Sequence, residues 1–172
     1  MRPRDSFRRT DLGRSLRDDR HDILEAMFPG QSARFFLAMN IGGTAKSADD
    51  GAALILEGAK TATSSPLWDY PDGCLPFVGA LSVLLDGRGR PAAIVETTGV
   101  ETIRFRNVTE VMARSYGEGE RTLAWWRRVI GGWYRDKAAR EGQAFSEEDE
   151  ILWEWIGVVC RLQPVVRRAA PL

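Results

Sequence analysis

Three stretches of this 172-residue chain concentrate side chains able to do chemistry. The first runs Glu57-Gly58-Ala59-Lys60-Thr61-Ala62-Thr63-Ser64-Ser65-Pro66-Leu67-Trp68, a lysine followed by a dense run of hydroxyl donors. A partly buried lysine has a lowered pKa and can take a proton from a hydroxyl or a water. As a fixed cation it can instead hold a phosphate or a developing oxyanion. The alternative is a solvated lysine at the start of a strand whose threonines are there for β-propensity alone. The second stretch is Tyr116-Gly117-Glu118-Gly119-Glu120-Arg121-Thr122-Leu123. Its glycines let the backbone turn tightly and aim the Glu118 carboxylate. Glu120 stands just before a helix, where its charge favours the dipole. The third is the helix predicted from Arg121 to Tyr134. Residues 121–140 carry six basic side chains and one acidic one. Arginines beside Trp125 suit the phosphates and bases of single-stranded RNA, and a solvated helix face is the alternative.

Composition narrows the classes. The 24 basic and 24 acidic side chains cancel, which excludes bulk electrostatic coating of nucleic acid and leaves only local patches for an anion. Lysine occurs only at 46, 60 and 137, so the other basic residues are arginines, a bias read mainly as coding preference. Cys74, Cys160 and the single His21 supply no metal-ligand spacing and no serine–histidine–aspartate set. No glycine-rich turn follows a strand, which sets Rossmann and P-loop chemistry aside, and no cofactor is expected. No apolar run is long enough for a membrane span, and the arginine-rich start lacks the apolar core of a secretory signal. A cytoplasmic chain with reduced thiols is the expectation.

Positioning these residues requires a frame. Residues 1–20 hold seven arginines and four aspartates and read as an arm. A short helix is predicted over Ser15–Phe28, with Leu16, Ile23, Leu24 and Met27 on one side, ended by Pro29-Gly30. Ser47 is the expected cap of a helix over Ala48–Glu57, with Asp49 and Asp50 in its first turn and Gly58 as its stop. Its inward positions are expected at Ala52, Ala53, Leu54 and Leu56. Strands are predicted at Lys60–Ser65 and Leu81–Leu85, then from Ala92 to Phe105 with a bulge at Gly99. Asn107 is the expected cap of a helix to about Arg114. On the next helix Leu123, Trp126, Ile130 and Trp133 form the core stripe. Residues 137–149 read as an acid-rich loop, and Ile151–Leu162 as a closing strand. The order argues for an α+β domain around a small, mostly antiparallel β-barrel flanked by helices. Trp153 and Trp155 on that last strand serve either the core or a homodimer interface.

An ordered series runs along the chain: Ala48-Asp49, Leu54 to Lys60-Thr61-Ala62-Thr63, Leu67-Trp68, Leu75-Pro76, Val78-Gly79, Asp86-Gly87, Arg90-Pro91 and Glu96-Thr97. It continues with Gly117-Glu118-Gly119-Glu120-Arg121, Trp126-Arg127 and Val159-Cys160. In this order and spacing the chain resembles the ASCH domain family, of the longer bacterial type. The resemblance implies a PUA-like barrel over residues 37–164, between an arm with its short helix (1–36) and a tail (165–172). It implies a cleft holding a lysine, a threonine and a glutamate, here Lys60, Thr63 and either Glu118 or Glu120, with Glu118 preferred. In small bacterial relatives such a trio hydrolyses the acyl amide of N4-acetylcytidine. Longer bacterial ASCH proteins are described as ribonucleases, and a non-catalytic RNA-binding module is the third reading. Thr61, Ser65, Trp68, Arg121 and Arg128 are the residues expected to contact RNA or a nucleoside. Ile130 stands where the family often has a histidine. On a regular strand Lys60 and Thr63 would point to opposite faces, so a shared cleft requires a bend between them.

Overall fold

The computed structural model describes residues 22–70 and 73–162. The predicted arm, Leu16, His21 and the tail lie outside them. Residues 22–27 are helical (α1) and stop before Pro29-Gly30; Leu24 is fully buried, whereas Met27, expected beside it, is exposed. Five strands follow: β1 (Phe35–Met39), β2 (Ala62–Pro66), β3 (Leu81–Leu85), β4 (Pro91–Arg104) and β5 (Glu150–Arg161). Three helices join them: α2 (Ala45–Leu56), α3 (Glu110–Tyr116) and α4 (Leu123–Arg140). The strands form one sheet in the order β1-β3-β4-β5-β2, a mixed α+β arrangement. β1 pairs with β3 in parallel, and the other three pairings are antiparallel. No ladder joins β1 to β2 among the described residues, so hydrogen bonding does not close the expected barrel. The long β4–β5 ribbon shifts register at Ile94/Val95 and again at Thr97/Gly99, next to the predicted bulge at Gly99. Each shift bends and twists the pair.

Apolar layers cover both faces of this sheet. On one side Ala52 and Ile55 of α2 pack with Met39, Val95, Leu152 and Ile156. On the other, Tyr116 of α3 and Trp126, Ile130 and Tyr134 of α4 pack with Ala62, Ile151 and Trp153. The alternation of Leu152 and Ile156 with Ile151 and Trp153 is the period-2 pattern of a strand buried on both faces. Trp153 is wholly buried inside the chain, against Trp126 and Tyr116, and Trp155 packs half-buried beside this core.

Several predicted boundaries move. Thr44, not Ser47, caps α2; Ser47 is the third residue of a capping box, its hydroxyl accepting the Thr44 N–H, so Asp49 and Asp50 fall beyond the first turn. The helix consequently turns Ala48, Gly51, Ala52 and Ile55 inward and leaves Ala53 exposed. Thr109 caps α3, while Asn107 ends a 3-10 turn. Thr122 caps α4, whose stripe passes through Trp126, Ile130 and Tyr134, with Trp133 exposed. α4 runs on to Arg140, six residues past the prediction, because Ala138 buries against the core and holds its last turns. β1 was not predicted. Its Phe-Phe-Leu-Ala-Met run lacks polar alternation, being buried almost throughout.

Candidate functional site

Lys60 sits where helix becomes strand. α2 ends at Leu56, and Gly58 takes a left-handed φ of 75° that turns the chain out of the helix. The N–H groups of Ala59 and Lys60 both donate to the Leu54 carbonyl, at 2.9 and 3.0 Å. Lys60 therefore precedes β2, which starts at Ala62 and not at Lys60 as predicted. The Thr61 N–H donates to the Ser115 carbonyl on α3, and the Thr61 carbonyl accepts from Ile156 of β5, both at 2.9 Å. This stitching holds the lysine backbone between α3 and β5.

The loop after α3 closes over it. Gly117 caps α3 at φ 77°, and a β-carbon there would collide with the Ala59 carbonyl and the Lys60 Cα. Gly119 lies equally close to the Trp125 ring. Only glycine fits both positions, so Glu118 is held between two fixed points.

The Lys60 side chain is fully buried, and Glu118 is a quarter exposed. The ammonium donates to the Tyr116 carbonyl at 3.0 Å and lies 3.3 Å from the centre of the Tyr116 ring. Its distance to Glu118 Oε1 is 2.8 Å, an ion pair whose angle departs from that of a regular hydrogen bond. Burial pushes the Lys60 pKa down from 10.5 to about 8, and the Glu118 carboxylate restrains that fall. Desolvation disfavours the charged amine, whereas a neighbouring anion favours it. The result is an amine that can release its proton near neutral pH. Glu120 points elsewhere, to Arg128 at 3.1 Å on the surface. Geometry thus puts Glu118, and not Glu120, at the ammonium.

The remaining predicted residues are scattered. Thr63 is buried on β2 directly opposite Glu154 of β5, and the polar partners of the ammonium are Tyr116 and Glu118, without Thr63. Thr61 is exposed and its hydroxyl donates to the Ser115 carbonyl at 3.3 Å. Ser65 is buried opposite Leu152. Trp68 donates its indole N–H to Glu141 at 2.9 Å. Glu141 also binds Lys137, which reaches Asp69 at 2.9 Å. Trp68 thus belongs to a brace between the end of β2 and α4. Arg121 and Arg128 are exposed, Arg121 with a left-handed φ of 57°. A pocket of about 160 Å³ opens between the end of α2 and β5, lined in part by Ile55, Gly58, Lys60, Thr61, Ile156 and Arg161. Among the described residues no three His, Cys, Asp or Glu side chains gather to hold a metal ion, and no helix is long and apolar enough to cross a membrane.

Sequence reasoning missed Tyr116 and Glu154. An aromatic residue immediately before Gly-Glu-Gly, and a carboxylate at an inward position of the apolar run Ile151–Val159, were the available signals.

The family model for the ASCH domain matches residues 37–160. The chain belongs to the ASCH domain family. An ASCH domain from Lactobacillus crispatus JV V101 superposes with a TM-score of 0.71 at 28% identity, covering 86% of this chain and 94% of that one. A protein from Enterococcus faecalis V583 has the same fold, with a TM-score of 0.70 at 24% identity, covering 86% of this chain and 90% of that one. A comparison with curated proteins gives no match.

Proposed function

We propose that this ASCH domain is a hydrolase acting on RNA or a modified nucleoside, with Lys60, Thr63 and Glu118 as its working groups. The single observation that supports this reading is the buried Lys60–Glu118 pair at 2.8 Å, under a loop that admits only glycine on either side of the carboxylate. Burying an ammonium costs several kcal/mol even when it is paired, so an apolar side chain would serve stability better at position 60. An amine lowered to about 8 is instead suited to proton transfer.

For N4-acetylcytidine the reaction is hydrolysis of the exocyclic amide. The Thr63 hydroxyl, or a water it positions, adds to the acetyl carbonyl while neutral Lys60 takes the proton. The carbon–nitrogen bond then breaks and the proton goes to the leaving amine, releasing cytidine. When water attacks, acetate leaves with it; when Thr63 attacks, a water then hydrolyses the acetyl–Thr63 ester to acetate and the free hydroxyl. Glu118 orients Lys60 throughout. Since the base must be neutral, the rate rises with pH through about 8. Thr63 lies outside the ammonium's contacts in this structure, so the reaction requires it and Lys60 to meet around the β2 edge.

The test is release of cytidine from N4-acetylcytidine by the full chain and by Lys60→Met, with thermal unfolding of both. Hydrolysis by wild type and its loss in a folded Lys60→Met are expected. No hydrolysis by wild type, or equal hydrolysis by the variant, overturns the reading.

A ribonuclease is the second reading, favoured by the exposed Arg121, Arg128 and Arg135 on and beside α4. There Lys60 and the arginines would stabilise the pentavalent phosphate. Labelled single-stranded RNA incubated in EDTA decides it: cleavage abolished by Lys60→Met supports this reading, and cleavage that persists in the variant counts against it. Binding that weakens steeply with salt, without turnover of RNA or nucleoside, would make the chain an RNA-binding module.

A further inference from the structure

The second face of the β2–β5 pair carries another carboxylate, which the lysine reading leaves unused. Glu154 is 8% exposed, although it lies between Leu152 and Ile156, both in the apolar layer beneath α2. It accepts a hydrogen bond from the Thr97 hydroxyl of β4 at 2.6 Å. Thr97 is itself 2% exposed. On the other side, Glu154 is the direct cross-strand partner of Thr63. Directly opposed residues in an antiparallel ladder point to the same face, with β-carbons about 4.5–5.5 Å apart, within reach of a glutamate side chain. Ser65 and Ser82 also line this face, by their register with Leu152 and with Val95. The Ser82 hydroxyl is buried and finds no partner among the described residues. Thr63, Ser65 and Thr97 thus stand near one carboxylate in an otherwise apolar layer, with the Ser82 hydroxyl farther along the same face.

A buried carboxylate is costly, and a β-branched apolar residue would fill position 154 at lower cost in stability. The register instead places that carboxylate against the one hydroxyl assigned a chemical role. We infer that Glu154 is a positioning residue for Thr63. It accepts the Thr63 hydroxyl proton in a hydrogen bond and leaves the Thr63 oxygen to accept from the attacking water, whose other proton passes to Lys60, while Thr97 fixes the carboxylate in turn. This inference rests on the hydrolase reading of Lys60, Thr63 and Glu118. The attacking water then stands at the β2 edge, between Thr63 on the α2 side and Lys60 on the α3 side.

The experiment compares wild type, Glu154→Gln, Glu154→Asp and Thr97→Val as full chains. It measures kcat and KM for N4-acetylcytidine together with the thermal midpoint. Glutamine keeps the shape and an acceptor for Thr97 but loses the carboxylate to which the inference assigns the Thr63 hydroxyl. Its kcat is expected to fall about tenfold or more with KM within about twofold of wild type, the split that marks an interaction made in the transition state. Its thermal midpoint should stay level or rise. Aspartate should recover part of the loss. Thr97→Val removes only the anchoring hydroxyl and should lower kcat about threefold. If Glu154→Gln fails to fold, Thr97→Val decides, and an unchanged kcat there overturns the inference. An active wild type with an equally active Glu154→Gln overturns Glu154 and leaves Lys60 standing. A wild type that hydrolyses nothing removes the hydrolase reading, and this inference with it.

Discussion

Lys60 and Lys137 are both lysines held by carboxylates beside α3 or α4, yet their acidities move in opposite directions. Lys60 is wholly buried and meets one carboxylate, Glu118, which is itself a quarter exposed. Lys137 keeps 17% of its side chain exposed and meets two, Asp69 and Glu141. Burial works to lower the pKa of each. At Lys60 it wins, giving about 8; at Lys137 the bonds to Glu141 and Asp69 outweigh it and the pKa is raised. The number of anions and the access of water decide whether a half-hidden lysine is a brace or a proton carrier. Lys46, almost fully in water and paired with Asp50 one turn on, is the third case.

The comparison breaks first at Lys137. Lys137→Met leaves two carboxylates facing each other around a nearly buried Asp69, and removing one partner of such a cluster costs on the order of 3 kcal/mol. Urea unfolding should show that loss, while kcat per folded molecule stays at the wild-type level. A variant as stable as wild type would deny the brace.

Lys60 makes a pH prediction of comparable or smaller size. Its folded pKa of about 8 lies below the unfolded 10.5, so between these values the unfolded chain binds more protons. Stability therefore rises with pH across that window, by on the order of 3 kcal/mol when the whole shift is expressed. Lys137 has the opposite sign: its contribution is full below 10.5 and fades only as pH climbs through its raised pKa. Denaturant midpoints taken from pH 8 to 10.5 should climb in wild type and stay flat in Lys60→Met. A flat wild-type profile would place Lys60 in water.

Smaller effects sharpen the contrast. Trp68→Phe deletes the indole hydrogen bond to Glu141 and should lower stability by about 1 kcal/mol, read from urea unfolding. Lys46→Ala should leave the thermal midpoint unmoved, since exposed pairs contribute little.

Local signals made part of this legible. The β3–β4 hairpin follows from two apolar runs around the glycine-containing loop Asp86-Gly87-Arg88-Gly89-Arg90-Pro91, and both strands stand close to their predicted limits. Helix starts slipped because each region offers more than one capping side chain. Thr44 and Ser47 compete at α2, and Asn107 and Thr109 at α3; only packing of the helix face chooses between them. The site divides in the same way. Lys60 and Glu118 could be nominated from sequence through the family resemblance, but their contact depends on Gly117 packing on Ala59, which no local pattern records. The Asp69–Lys137 and Glu154–Thr97 contacts join distant segments and leave no spacing to read, whereas Lys137–Glu141 is an i,i+4 pair.

Lys60 and the Tyr116 carbonyl it binds stand 56 positions apart. In the unfolded chain that ammonium lies in water, with its ordinary pKa of 10.5. Docking of residues 117–119 must then strip that water from a cation. Closing the loop is linked to proton release: between pH 8 and 10.5 an amine that is charged in water loses its proton on burial. The glycines that let residues 117–119 pack over Lys60 thus tie closure of the site to the protonation of one amine.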